Sequence, residues 1–243
     1  MILDLVLPTD CFGCGRPLDV FQIHGACLAC WSSLATIRAP WCPACGAPRP
    51  AGTDLLGPAR GRCADCLLRS PMLDGVRAAV EYDALARRFV LRAKFGGRRE
   101  LYGPMGRHLG RLLDRGAGSE RWAAIVPVPA HPWTELRRGF NPALEIARST
   151  ARVVGVPVRA GWLRRRLARP RAVKRLDPAR RRRVLADVFV GSRRAAGHRV
   201  LLMDDVYTTG ATAEACGEAL RAAGAESVWL GVWARTPLRV GGL

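Results

Sequence analysis

The sequence predicts an α/β protein: a mainly parallel sheet with helices on both faces, preceded by a small segment stapled by metal. Three observations carry that expectation. Eight of the nine cysteines fall in four CxxC pairs within the first 70 residues. From about residue 72, apolar strand-like runs alternate with amphipathic helical stretches. Finally, VLLMDDVYTTGAT, residues 200–212, passes from a buried strand through two adjacent acids into a hydroxyl- and glycine-rich turn that opens a helix. A chain of 243 residues holds one substantial domain and a small one, here divided as 1–70 and 71–243. Its 49% hydrophobic and 24% charged content is that of an ordinary globular protein.

The cysteine pairs are Cys11/Cys14, Cys27/Cys30, Cys42/Cys45 and Cys63/Cys66, with Cys216 standing alone. The opening MILDLVLPTDC has no basic residue ahead of its short apolar run, so it does not read as an export signal. The longest uncharged stretch, 20–37, is broken by polar residues around a CxxC and is not a membrane span. The expected setting is cytoplasmic, where thiols stay reduced, and this favours metal over disulfides. An internal repeat, CFGCGRPLD at 11–19 and CPACGAPRP at 42–50, groups Cys11, Cys14, Cys27 and Cys30 around one ion. It groups Cys42, Cys45, Cys63 and Cys66 around another, although an interleaved grouping has the same spacing. Gaps of 12 and 17 residues between pairs suit zinc ribbons, and four thiolates leave no open position, so the sites are structural Zn2+ sites. The glycine after each first pair relieves the backbone. So small a segment buries little surface, and metal supplies most of its folding free energy, on the order of 10 kcal/mol per site. After Cys30, the spacing of Trp31, Leu34 and Ile37 predicts a short helix.

The elements of the larger part follow in order. GVRAAVEY (75–82) reads as a strand, and LARRFVLRAKF and MGRHLGRLLDR as helices. WAAIVPVP (122–129) is a buried strand, and NPALEIARSTARVV (141–154) a helix with Asn141 as cap and Pro142 at its first position. VPVRAGWL leads into an arginine run, followed by LADVFV and HRVLLMDDV; the helix ATAEACGEALRAAG and the strand SVWLGVWAR close the series. In such sheets ligands bind at the carboxyl ends of the strands. Residues 200–203 are the expected strand, Asp204 and Asp205 its end, and Thr208 to Thr212 the turn into a helix over 213–223. There the amides of Thr209, Gly210, Ala211 and Thr212 point out of the helix N-terminus, and the threonine hydroxyls add donors, making a phosphate cradle. The two carboxylates would repel that phosphate. They suit two vicinal hydroxyls a sugar's length away, or a Mg2+ that screens a second phosphate. A phosphorylated ribose presents its groups in this order.

Net charge is +19, and among 39 basic residues only Lys94 and Lys174 are lysines. Between Arg159 and Arg183 stand twelve basic residues and one acid, Asp177. Such a run is either a solvated loop or a collector of phosphates, from a small ligand or from a nucleic-acid backbone.

The run 200–212 resembles the phosphoribosyl pyrophosphate (PRPP) signature of type I phosphoribosyltransferases. Taken with the cysteine-rich N-terminus, IVPVP, RRGFNPA (137–143) and LRAKFGGR (91–98), nearly the whole chain resembles the ComF family, associated with DNA uptake in natural competence. The resemblance implies a double zinc ribbon followed by a type I phosphoribosyltransferase-like domain. By position it gives Asp204 and Asp205 the ribose hydroxyls, and Thr208, Thr209, Gly210, Ala211 and Thr212 the 5'-phosphate. The loop after IVPVP, from Val128 and Pro129, stands where related enzymes hold pyrophosphate, with Arg137 and Arg138 either as donors or as surface cations. Lys174 and Arg175 lie where a mobile loop closes over the substrate. Implied partners are PRPP with Mg2+, single-stranded DNA and the competence machinery.

Two functions compete: a PRPP-binding protein acting in DNA uptake, and an active transferase moving phosphoribose to an unidentified acceptor. The sequence offers no evident general base; His131, just after the loop, is either near the chemistry or structural. Two positions depart from the family pattern. Val184 stands where relatives carry asparagine, and Tyr207 where an aliphatic residue is usual.

Overall fold

The computed structural model describes residues 10–18, 25–49, 61–68, 72–96, 98–116, 122–166 and 188–237. Short sulfur-anchored turns come first. Helix α1 spans Leu28–Ser32, capped by Cys27, whose sulfur accepts from the Cys30 N–H; α2 spans Ala64–Leu68. The helix expected through Ile37 ends early: Leu34 lies in the turn that closes α1, and Ala35 to Ile37 run extended along β1. There the Ile37 N–H donates to Ala79 O at 2.9 Å and the Glu81 N–H to Ala35 O at 2.8 Å. Both apolar residues are buried as expected, but against a strand edge rather than along a helix face.

The larger part begins with β1 (Gly75–Glu81), α3 (Ala84–Phe95) and α4 (Tyr102–Gly116). It continues with β2 (Ala124–Pro127), α5 (Pro132–Arg138) and α6 (Pro142–Val154). Next come β3 (Leu163–Arg165), β4 (Phe189–Gly191), β5 (Arg199–Tyr207), α7 (Ala211–Ala222) and β6 (Ser227–Arg235). The main sheet has the order β1-β6-β5-β2 with every pairing parallel, so all four carboxyl ends lie along one edge. β3 and β4 form a separate antiparallel pair.

Alternation along β5 divides the core. Leu201 and Met203 pack with Phe89, Leu109 and Ile146 of α3, α4 and α6; Val200 and Leu202 pack with Cys216 and Leu220 of α7. Helices therefore cover both faces, as expected. Asn141 caps α6 with Pro142 at its first position, also as expected. Helices α4 and α6 approach closely, with the Thr150 hydroxyl donating to Gly106 O at 3.0 Å. β5 runs further than the expected 200–203: Val206 and Tyr207 still pair with Ala234 and Arg235, which places both aspartates within the strand. No helix among the described residues is long and apolar enough to cross a membrane.

Candidate functional site

The eight paired cysteines gather into two groups, Cys11, Cys14, Cys27, Cys30 and Cys42, Cys45, Cys63, Cys66, the sulfurs within each lying within 4.8 Å of one another. This is the grouping suggested by the internal repeat, and the interleaved alternative does not occur. Sulfurs at about 2.3 Å from a tetrahedral Zn2+ are about 3.8 Å apart. Cys14 and Cys27 are 3.9 Å apart and Cys45 and Cys63 3.6 Å, so the residues fit the ion. Backbone N–H groups point at the sulfurs, Cys27 to Cys11 at 3.2 Å and Cys63 to Cys42 at 3.3 Å. A hydrogen bond from Cys45 and backbone N–H donors outweigh burial and bring the Cys42 thiol down to about 4, while the same contact and burial push Cys45 up, so without a cation the group shares its protons. Gly15 and Gly46, after the first pair of each group, are left-handed at φ 75° and 68°, a conformation costly for other residues. Both centres are structural Zn2+ sites.

The second constellation lies at the carboxyl end of β5. Gly210, at φ 82°, is the N-cap of α7 and no side chain caps that helix, so its first-turn N–H groups face outward beside exposed Thr208, Thr209 and Thr212. This arrangement can receive an anion. Asp204 is half-buried, and its Oδ1 accepts from the Asp205 N–H at 2.8 Å. Burial, and then the neighbouring Asp205 charge, push the Asp204 carboxyl up to about 7. Asp205 is only 5% exposed, and its Oδ2 lies 2.6 Å from Lys94 Nζ.

Lys94 is a site residue that neither its place in LRAKFGGR nor the PRPP-like run predicts. Its scarcity is the available signal: it is one of two lysines among 39 basic residues. Buried Tyr102 is a second addition. Burial first, then the Asp205 charge, push its phenol up, while Arg138 opposes them.

The loop after β2 is anchored on both sides. The Val128 N–H donates to Met203 O at 2.8 Å, and Asn141 Nδ2 donates to Val128 O at 3.0 Å while its Oδ1 accepts from the Ala143 N–H. Pro129 follows, half-buried. Helix α5, which the sequence did not foretell, carries Arg137 and Arg138 and ends at Gly139, left-handed at φ 79°. The Arg138 guanidinium lies 5.1 Å from the ring centre of Phe95, the neighbour of Lys94, so it is brought toward the Asp205 side of the site; Arg137 is exposed. His131 occupies the N-cap position of α5 without capping it. Lys174, Arg175 and Val184 lie outside the described residues.

The double zinc ribbon domain profile matches residues 2–67. The DNA utilization protein YhgH of Salmonella typhi is 28% identical over 238 residues, 96% of this chain and 99% of that protein. The competence protein ComFC of Bacillus subtilis is 26% identical over 194 residues, 76% of this chain and 73% of that protein. Among solved structures, a glutamine PRPP amidotransferase from B. subtilis aligns at a TM-score of 0.37 and 21% identity. That alignment covers 54% of this chain and 26% of the amidotransferase. Two four-cysteine centres thus stand ahead of a parallel α/β sheet, and the chain is similar along most of its length to competence and DNA utilization proteins.

Proposed function

We propose that this chain binds PRPP with Mg2+ at the carboxyl end of β5 and acts in the uptake or use of DNA from the cytoplasmic side. In this reading the ribbons of 1–70 and the domain of 71–243 work as one unit. The observation that carries it is the uncapped, glycine-led N-terminus of α7 directly after the Asp204–Asp205 pair. Its N–H groups and the hydroxyls of Thr208, Thr209 and Thr212 take the 5'-phosphate. Asp204 accepts from a ribose hydroxyl, and Asp205 does so while sharing Lys94. The pyrophosphate lies toward the loop at Val128 and Pro129 and toward Arg138, with Mg2+ screening its charge. Competence and DNA utilization relatives support the DNA role. The basic balance of +19 suits a single-stranded DNA partner.

Titration calorimetry with Mg-PRPP tests the site. Asp204→Asn and Thr209→Ala should each weaken binding at least tenfold, and unchanged affinity in both would remove the ligand from this turn. The raised Asp204 carboxyl adds a pH signature. The ligand needs the carboxylate, so affinity should climb more steeply from about pH 6 to about pH 8 in the parent than in Asp204→Asn, which keeps only the slope of the ligand's own phosphate, whose second ionisation lies at about 6. Stability runs the other way. The folded state keeps a proton that the unfolded chain has already lost, so this group disfavours the fold increasingly as pH rises from about 4 to about 7. Pyrophosphate release with candidate bases separates turnover from binding alone. Retention of single-stranded DNA should fall with salt and on deletion of 164–183.

A further inference from the structure

Tyr207 interrupts the signature with an aromatic ring that the ribose-phosphate reading leaves without a task. Its surroundings supply one. The phenol lies against Gly210, where a β-carbon would meet the Tyr207 oxygen at 2.5 Å. Across the parallel β5–β6 pairing Tyr207 is in register with Arg235, whose guanidinium carbon lies 5.8 Å from the ring centre. Arg235 is 2% exposed. Its Nη2 donates to Cys45 Sγ at 3.7 Å, while its Nε and Nη1 have no hydrogen-bond partner.

Among the described residues Arg235 forms no salt bridge, although Glu81 of β1 is in register with it, and a buried guanidinium is strongly unfavourable unless a negative charge answers it. Four thiolates around a Zn2+ leave two negative charges in excess, and Cys45 is one of those thiolates.

We propose that Arg235 and Tyr207 form a strut that ties the second zinc centre to the phosphate turn. The tetrathiolate fixes Arg235 as its counter-charge, and Arg235 backs the Tyr207 ring. The ring in turn holds Gly210 in the left-handed conformation from which α7 presents its N–H groups. Both are positioning residues, and the second ribbon becomes part of the ligand site's framework. The link to PRPP rests on the reading of this turn as a phosphate site, whereas the strut itself does not need it.

The test uses the full-length, zinc-loaded chain with two readouts: zinc capture by a chromogenic chelator, and amide hydrogen exchange over 208–214. Arg235→Met should release one of the two zinc equivalents at least fivefold faster and speed exchange in the turn by a similar factor. Arg235→Lys should restore much of the zinc retention by keeping the charge. Tyr207→Leu should leave zinc capture at the parental rate yet speed exchange in the turn, which keeps the test open if Arg235→Met fails to fold. Parental zinc capture in Arg235→Met, or parental exchange in Tyr207→Leu, would overturn the strut. If the parent chain binds no Mg-PRPP, the ligand reading falls, and the strut is judged on zinc capture and exchange alone.

Discussion

The two zinc ribbons begin from related stretches that share both cysteines, the glycine and a proline, and are used differently by the rest of the chain. The first is built into the principal core. Cys11, Phe12, Ala26, Cys30 and Leu34 pack in one cluster with Phe89, Leu109 and Trp233, and Arg88 of α3 donates to Gly13 O at 2.7 Å. The second keeps a small cluster of its own, Cys42, Ala44, Cys45, Ala47 and Cys66, and meets the sheet at β1, where Arg77 donates to Pro43 O at 3.3 Å and Trp41 packs on the second core, and at β6 through the buried Arg235. One ribbon merges into the main apolar core and the other keeps its own small cluster and docks largely through arginines, so a repeated motif does not dictate repeated docking. What differs is the partner face: the aromatic side of α3 in one case, the start of β1 and the carboxyl end of β6 in the other.

The largest expected effect separates them by metal. Chelation should unfold both ribbons, with a loss on the order of 10 kcal/mol per site, read as collapse of the cooperative thermal transition. Within that result, Cys42→Ser, at a fully buried position, should lower the melting temperature more than Cys14→Ser at an exposed one. Equal losses would break the comparison. Next in size, Phe12→Ala removes an 8% exposed ring from the main core and should cost about 3 kcal/mol in denaturant unfolding. A core truncation in the second ribbon, Ala44→Gly, should cost about 1 kcal/mol, because little apolar volume is lost there. Smaller again, Arg88→Ala should cost about 1 kcal/mol by deleting the bond to Gly13. Arg98→Ala, which removes a guanidinium 4.9 Å from the Phe12 ring centre, should cost about 0.5 kcal/mol.

Much of this was legible because the information is local. The repeat set the cysteine grouping, Asn141 and Pro142 set the start of α6, and the alternation of apolar runs with helical stretches set the sheet and its covered faces. Most of the failures involve partners distant in sequence. Trp31, Leu34 and Ile37 share a helical period, yet only Trp31 is helical, because the edge of β1 draws the following residues into extended pairing. β5 outlasts its apolar run because β6 continues to pair with Val206 and Tyr207 whatever their neighbours' charge. Lys94 and Tyr102 declare themselves only when α3 and α4 fold back over Asp205. The short helix α5, with every side chain exposed or half-buried, has no buried stripe for periodicity to detect.

The extended segment at 35–37 has one further consequence. A parallel sheet ends in rows of unpaired backbone groups that invite another chain to add itself. Here the outer side of β1 is occupied by Ala35 to Ile37, and that of β2 by Pro157 to Arg159. Trimming the chain to its sheet domain would therefore strip the guard from β1, and the trimmed protein should stick to itself edge to edge.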